Sequence, residues 1–153
     1  RRGLSEGEGL EQAVKALQPM VALAEEHGVV LQMELFNSLV DHPDYMADSS
    51  GWGIELAREL NSPSFKLLYD IYHMQIMEGN LVANIKENHQ WYGHYHVAGV
   101  PGRNEPWESQ EINYPAVMAA IESTGFNGYV ALEYLFTTNK KESMARSFTE
   151  FIR

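Results

Sequence analysis

The chain has 153 residues, of which 44% are hydrophobic, and this size and composition suit one globular domain with a packed core. Its 11 Lys and Arg residues stand against 21 Asp and Glu residues, and the resulting net charge of −10 opposes binding to nucleic acid. The absence of cysteine excludes disulfides and thiolate metal sites and fits a cytoplasmic protein. No apolar segment approaches the roughly 20 residues of a membrane span, so we expect no membrane partner.

The first third of the chain predicts a long helix that leads into a strand. Apolar residues recur at three- and four-residue spacing over residues 10–24, which is typical of an amphipathic helix. Ser5 and Glu8 form the sequence pattern of a capping box, and Gly28 stands where the helix should end. Pro19 predicts a kink or a restart within this helix, because proline removes a backbone hydrogen bond.

Four short segments rich in branched and aromatic residues predict strands that are buried on both faces. These segments lie near residues 29–35, 64–70, 92–98 and 128–134. Segments with helical periodicity alternate with them, and such alternation predicts parallel strands with right-handed crossovers. We therefore predict an α/β fold in which residues 1–153 form one domain. Four βα units make either half of an eight-stranded barrel or a small open sheet.

Four potential metal ligands stand at the ends of these strands. Glu34, Asp70, His96 and Glu133 follow one another at intervals of 36, 26 and 37 residues, about one strand-plus-helix unit each. In parallel β/α folds the carboxyl ends of the strands meet at one rim, where active sites lie. Three carboxylates would repel one another there unless they shared a cation. The pattern predicts a divalent metal, with Mg²⁺ or Mn²⁺ first and Co²⁺ or Zn²⁺ also compatible.

Further polar residues are expected close to the same rim. The D-x-x-H pattern places Asp70 and His73 on neighbouring positions, although a helix cap and an ordinary first-turn histidine would give the same pattern. His94 lies two residues before His96, so both should face the same side of the strand, with His94 deeper as a second-layer or core residue. Arg103 suits a substrate carboxylate, phosphate or hydroxyl group. Loop or surface positions are expected for three other histidines, His27, His42 and His89.

Five segments in this order resemble the C-terminal half of the xylose-isomerase-like β/α-barrel superfamily. They are ELFN (34–37), DIYHMQ (70–75), HYHVAGVPGRNEP (94–106), EINY (111–114) and GYVALEY (128–134). Within that superfamily the chain is most similar to hydroxypyruvate isomerase and related sugar isomerases and epimerases. The resemblance implies half of a (β/α)8 TIM barrel.

The resemblance also implies a role for each residue at the rim. In this family the residues that match Glu34, Asp70, His96 and Glu133 hold a divalent metal, and the two glutamates also stand at the reacting carbons. Residues that match His73 and Arg103 contact the substrate. The implied activity is isomerisation or epimerisation of a small hydroxy-carbonyl or sugar substrate, in which a proton moves through an enediolate. The sequence does not decide between these two reactions.

The chain departs from the hydroxypyruvate isomerase pattern at His96, where those enzymes typically carry glutamine and ketose epimerases carry histidine. Gly99 replaces a common aspartate, and the loop around Trp107 is longer by about one residue. Two alternative functions are a non-catalytic half barrel that binds metal or sugar, and a zinc-dependent abasic-site endonuclease, which the acidic composition opposes. Four curved strands would leave two unpaired edges, so we expect a homodimer that completes the barrel or a missing N-terminal half.

Overall fold

The computed structural model describes residues 3–107 and 109–151. Within these ranges the strands are β1 (Leu31–Glu34), β2 (Phe65–Asp70), β3 (Tyr92–Val97) and β4 (Tyr129–Leu132). The α-helices are α1 (Glu6–His27), α2 (Ser50–Leu60), α3 (Ile71–Met77), α4 (Leu81–Asn88), α5 (Tyr114–Ser123) and α6 (Lys140–Phe151). Each strand lies within the range predicted from the sequence.

Helix α1 begins and ends as its sequence predicts. The Ser5 hydroxyl accepts a hydrogen bond from the Glu8 backbone N–H, and the Glu8 carboxylate accepts one from the Ser5 N–H at 2.8 Å. Gly28 ends the helix in the left-handed region, at φ 63°. One helix runs through Pro19, so of the kink or restart expected there the restart is wrong, and the kink stays a prediction. Apolar residues buried beyond the proline offset the missing hydrogen bond, and Val21 is one of them.

The four strands form one parallel sheet in the order β1-β2-β3-β4, as the alternation of elements predicts. The pairing of β2 with β3 contains a bulge: Leu67 lies opposite Tyr92, but Leu68 lies opposite His94, so Gly93 is skipped. A Cβ at Gly93 would come within 2.8 Å of the Cβ of Lys66, and glycine avoids this overlap.

This bulge decides which way the histidines face. A one-residue change of register turns every following side chain to the other face of a sheet. Because of the shift at Gly93, His94 is paired with Leu68 and His96 with Asp70, and paired residues of parallel strands share a face. Without the bulge, both histidines would face the helices.

The two faces of the sheet differ in burial. The face toward the helices is the core, where Leu67, Tyr69, Tyr95 and Val97 are almost fully buried. The prediction that all strands are buried on both faces holds for most of β2 and is wrong for the edge strands β1 and β4. Each edge strand has a strand neighbour on one side only, and Tyr129 in β4 is 81% exposed. Among the described helices, none has the length and apolar character needed to cross a membrane.

Candidate metal centre

The four strands bring the predicted ligands together. Glu34 ends β1, Asp70 ends β2, His96 is the penultimate residue of β3, and Glu133 directly follows β4. One ligand atom from each of the four lies within 4.8 Å of all the others. The Nδ1 atom of His96 is 3.5 Å from Glu34 Oε1, 3.8 Å from Asp70 Oδ2 and 3.1 Å from Glu133 Oε2.

Burial and contacts with opposite charges shift the pKa values of these residues in opposite directions. Burial raises the pKa of Asp70, which is 1% exposed, to about 7, although the Arg103 charge opposes this rise. Burial also tends to raise the pKa of Glu34, but contact with His96 outweighs it and lowers that pKa. The pKa of His96 is raised, because the Glu34 and Glu133 carboxylates outweigh its burial. Without a cation, Asp70 therefore favours binding a proton, whereas Glu34 favours its ionised form.

One buried oxygen in the cluster indicates that a cation fits. Within the described part of the chain, Glu34 Oε1 is buried and has no hydrogen-bond partner. Its contact with His96 at 3.5 Å is an ion pair, too long for a good hydrogen bond. A buried carboxylate oxygen without a hydrogen bond is costly unless a cation or donor reaches it. Carboxylate oxygens and an imidazole nitrogen are ligands that bind divalent cations.

Asp70 caps helix α3 and also belongs to the ligand cluster, and His73 is buried beside it. Asp70 caps α3 by accepting a hydrogen bond from the His73 backbone N–H at 3.2 Å, and its second oxygen belongs to the ligand cluster. His73 is fully buried, and burial, followed by the charge of Arg103, lowers its pKa to about 4. His73 is therefore a neutral imidazole near neutral pH.

Asn37 favours the tautomer of His73 that carries its proton on Nε2. The backbone N–H of Asn37 donates to His73 Nδ1 at 3.1 Å, and Asn37 Nδ2 lies 2.7 Å from the same atom. Since Nδ1 accepts, the proton is on Nε2, which faces the ligand cluster 3.8 Å from Asp70 Oδ2. Asn37 is itself held by Asp41, whose carboxylate also accepts from the Tyr72 hydroxyl. Sequence reasoning assigned Asn37 no role, although it ends the ELFN segment.

Arg103 reaches the same cluster from the loop after β3. Its Nη2 atom is 3.3 Å from Asp70 Oδ2 and also contacts Glu133 Oε2. Its Nη1 atom lies 3.0 Å from His73 Nε2. With the ring proton on Nε2, both of these nitrogens are donors and cannot hydrogen-bond to each other. The contact is therefore unfavourable until an oxygen lies between them and accepts from both.

A cleft of about 590 Å³ opens beside Arg103 and Glu133. Its wall includes Asp41 and His42, so His42 lies in a loop as predicted but also at the cleft, which was not predicted. The His42 ring centre is 5.4 Å from that of His73. His94 lies on the same side as His96, with ring centres 5.0 Å apart, and is not among the four clustered ligands.

A second cavity of about 380 Å³ lies on the helix side of β4 and is mostly apolar. It contains none of the predicted site residues. Its walls include Val130, Leu132, Met144 and Phe148. The chemistry of the chain is therefore concentrated at the rim of the sheet.

The family model for the xylose isomerase-like TIM barrel matches residues 1–153. The chain belongs to this family. Among its relatives, hydroxypyruvate isomerase of Escherichia coli is 34% identical over 106 residues, which are 69% of this chain and 40% of that protein. The 2-oxo-tetronate isomerase of Cupriavidus necator is 32% identical over 111 residues, which are 72% of this chain and 42% of the relative.

A solved member of similar fold is a Brucella melitensis protein described as an AP endonuclease, family 2, at 27% identity. Its TM-score is 0.89, with 97% of this chain and 57% of that chain covered. The parallel sheet and these likenesses confirm the predicted α/β class and xylose isomerase-like barrel type. The chain spans less than half the length of the curated relatives it matches.

Proposed function

We propose that this chain carries the metal-binding half of an isomerase or epimerase of the hydroxypyruvate isomerase type. The observation that carries the proposal is the meeting of four ligand groups with His73 and Arg103 at one rim. The proposed substrate is a small hydroxy-carbonyl compound or sugar. The names of the relatives, hydroxypyruvate isomerase and 2-oxo-tetronate isomerase, support that substrate class.

We propose that Glu34, Asp70, His96 and Glu133 hold a divalent cation, with Mg²⁺ or Mn²⁺ favoured and Co²⁺ or Zn²⁺ also compatible. The buried Glu34 oxygen that lacks a hydrogen bond and the oxygen-rich donor set support this assignment. When bound, the cation would supply Lewis-acid stabilisation for negative charge on the substrate oxygens.

The two glutamates are the proposed acid and base. One carboxylate takes the proton from the carbon beside the carbonyl group, and the other returns a proton to the same or the neighbouring carbon. Glu133 is about half exposed whereas Glu34 is mostly shielded, so Glu133 is the group that can exchange its proton with water. Return to the same carbon from the opposite face is epimerisation, and return to the neighbouring carbon is isomerisation.

His73 and Arg103 would orient the substrate and stabilise its charge. His73 is neutral, and its Nε2–H group donates a hydrogen bond to a developing oxyanion. A neutral imidazole holds this proton tightly, so it stabilises the oxyanion without protonating it. Arg103 binds the polar end of the substrate next to it. Together they act on the oxygen atoms, while the glutamates act on the carbon atoms.

Proton exchange tests this function directly. The chain is loaded with Mn²⁺ and incubated with hydroxypyruvate or 2-oxo-tetronate in deuterium oxide, and deuterium at the substrate carbon is followed by mass spectrometry. We expect incorporation that requires metal and disappears in Glu133→Gln. Metal binding with no deuterium incorporation, even when the remaining barrel half is supplied, would instead favour the non-catalytic half barrel.

The likeness to the Brucella melitensis structure makes nuclease activity a second candidate. The net charge of −10 opposes DNA binding, and the ligand cluster contains one histidine, His96. Incubation of the Zn²⁺-loaded chain with a duplex that carries one abasic site tests this candidate. Strand cleavage at that site would replace the isomerase proposal.

We further propose that the 153 residues act as one partial barrel domain that is completed by a second copy or by an N-terminal half. The exposed inner side of β4 at Tyr129 supports the need for a covering partner. Analytical ultracentrifugation distinguishes these arrangements, because the first predicts a dimer of the isolated chain. We place the protein in the cytoplasm, which fits its lack of cysteine and is testable by cell fractionation.

A further inference from the structure

Glu105 is a buried carboxylate outside the candidate metal centre. It accepts hydrogen bonds from the Thr137 backbone N–H at 3.0 Å, the Thr137 hydroxyl at 2.7 Å and the Ser143 hydroxyl at 3.1 Å, with a longer contact from the Thr138 hydroxyl at 3.4 Å. Although burial opposes ionisation, these bonds lower the pKa of Glu105 to about 2. Glu105 is therefore ionised at neutral pH, and its donors come from the segment after β4 and the first turn of α6.

The neighbours of Glu105 join the same two segments. The Leu135 backbone N–H donates to the Arg103 carbonyl at 2.7 Å, and the Asn104 side-chain amide donates to the Leu135 carbonyl at 3.2 Å. We call residues 103–105 with residues 135–143 the Glu105 clamp. The clamp connects the loop after β3, which carries Arg103, to the segment that directly follows Glu133.

The backbone of Arg103 shows why this connection matters. Arg103 has φ 57° and follows Gly102 at φ 92°, so a residue with a long side chain lies in the left-handed region. Non-glycine residues remain in that region when surrounding contacts hold them there. The clamp supplies two such contacts. The Arg103 carbonyl accepts a hydrogen bond from Leu135, and the Glu105 carboxylate, two residues later, accepts one from Thr137.

We propose that Glu105 is a positioning residue that sets the Arg103 guanidinium against the Glu133 carboxylate. This inference rests on the proposed isomerase function. Glu105 touches neither the ligand cluster nor the cleft, but it fixes the two loops from which Arg103 and Glu133 extend. The charge of the carboxylate matters, because it strengthens each of these hydrogen bonds. In Glu105→Gln that charge is lost, and the Thr137 hydroxyl would have to turn from donor to acceptor to meet the amide N–H group.

The test compares Glu105→Gln with Glu111→Gln. The second variant removes an exposed carboxylate from the same loop, between β3 and α5. We expect the amide hydrogens of Leu135 and Thr137 to exchange at least about tenfold faster in Glu105→Gln, and the Nε–H signal of Arg103 in NMR spectra to broaden. The kcat/KM value should fall by about ten- to a hundredfold, because a small misplacement of a positioning group is costly. The Mn²⁺ affinity of Glu105→Gln should stay near that of the parent chain. In Glu111→Gln the amide exchange, the Arg103 signal, the kcat/KM value and the Mn²⁺ affinity should all stay near the parent values.

Unchanged amide exchange and an unchanged Arg103 signal in Glu105→Gln would overturn the inference. So would faster exchange with the same kcat/KM, since Glu105 would then be only structural. If the parent chain shows no turnover even when the remaining barrel half is supplied, the isomerase proposal fails, while the Arg103 signal still decides whether Glu105 positions that side chain. Thr137→Val removes a single hydroxyl donor and provides the same readouts if Glu105→Gln does not fold.

Discussion

Replacing Asp70 by asparagine should stabilise the metal-free chain above neutral pH and weaken its binding of metal. Asp70 lies at the end of β2, 1% exposed, so its charge is largely removed from water. Asparagine has nearly the same shape, and its Oδ1 atom can still accept the hydrogen bond from the His73 backbone N–H that caps α3. The substitution therefore removes a buried charge without removing the cap.

The size of the effect follows from the pKa of Asp70. Burial raises this pKa from 3.8 to about 7, so between these values the folded chain holds a proton that the unfolded chain lacks. The stability associated with neutral Asp70 is fully present below about pH 4 and is lost as pH rises through about 7. At about 1.4 kcal/mol per pH unit, the parent chain loses up to about 4 kcal/mol across this interval. The loss of the Arg103 pair opposes the gain, and we expect Asp70→Asn to be more stable by about 2 kcal/mol at pH 8.

Urea unfolding in the presence of a chelator measures this difference. We expect the advantage of Asp70→Asn to be present at about pH 8 and to become small at about pH 4. Glu87→Gln, which removes an exposed helix charge, should have little effect at either pH. Titration calorimetry should show Mn²⁺ binding to Asp70→Asn weakened by about a hundredfold. Equal or lower stability than the parent chain at pH 8, or unchanged Mn²⁺ affinity, would refute the reasoning.

Four further substitutions, at three positions, separate the roles proposed at the rim. Glu133→Gln should lower kcat by about a hundredfold or more, because it removes a proton-transfer group, while circular dichroism stays unchanged. His96→Gln should retain Mn²⁺ binding through its amide oxygen, whereas His96→Ala should lose it in the same calorimetric titration. Asn37→Asp places a carboxylate about 2.7 Å from His73 Nδ1, so the pKa of His73 should rise above about 4, as measured by NMR titration of its ring protons.

The sequence predicts those features of the fold and site that depend on local pattern. Strand ends follow from short apolar segments, and Glu34 and Asp70 each end one, so their meeting follows from parallel topology alone. The side on which His96 lies does not follow from alternation. It depends on the bulge at Gly93, and an isolated glycine in a strand signals a bulge only weakly.

Other features depend on contacts between distant parts of the chain. Asn37 acts on His73 across 36 residues, and Glu105 meets Thr137 across 32, so neither role can be derived from neighbouring sequence. The exposure of β4 likewise depends on what covers its inner face, because its apolar sequence resembles that of the buried β2. Sequence periodicity describes an element well but does not describe its neighbours.

The negative charges at the rim can be balanced either by protons or by a divalent cation. The replacement of protons by the cation is measurable. Without metal, the raised pKa values of Asp70 and His96 favour protonation of both, which with Arg103 offsets the Glu34 and Glu133 carboxylates. A divalent cation requires both groups in their deprotonated forms, and it supplies the two positive charges that those protons carried. Metal binding near neutral pH should therefore release up to about two protons, and affinity should rise with pH until both groups are deprotonated. Calorimetry in buffers of different ionisation enthalpy counts the released protons, and a heat that is independent of the buffer would contradict this balance.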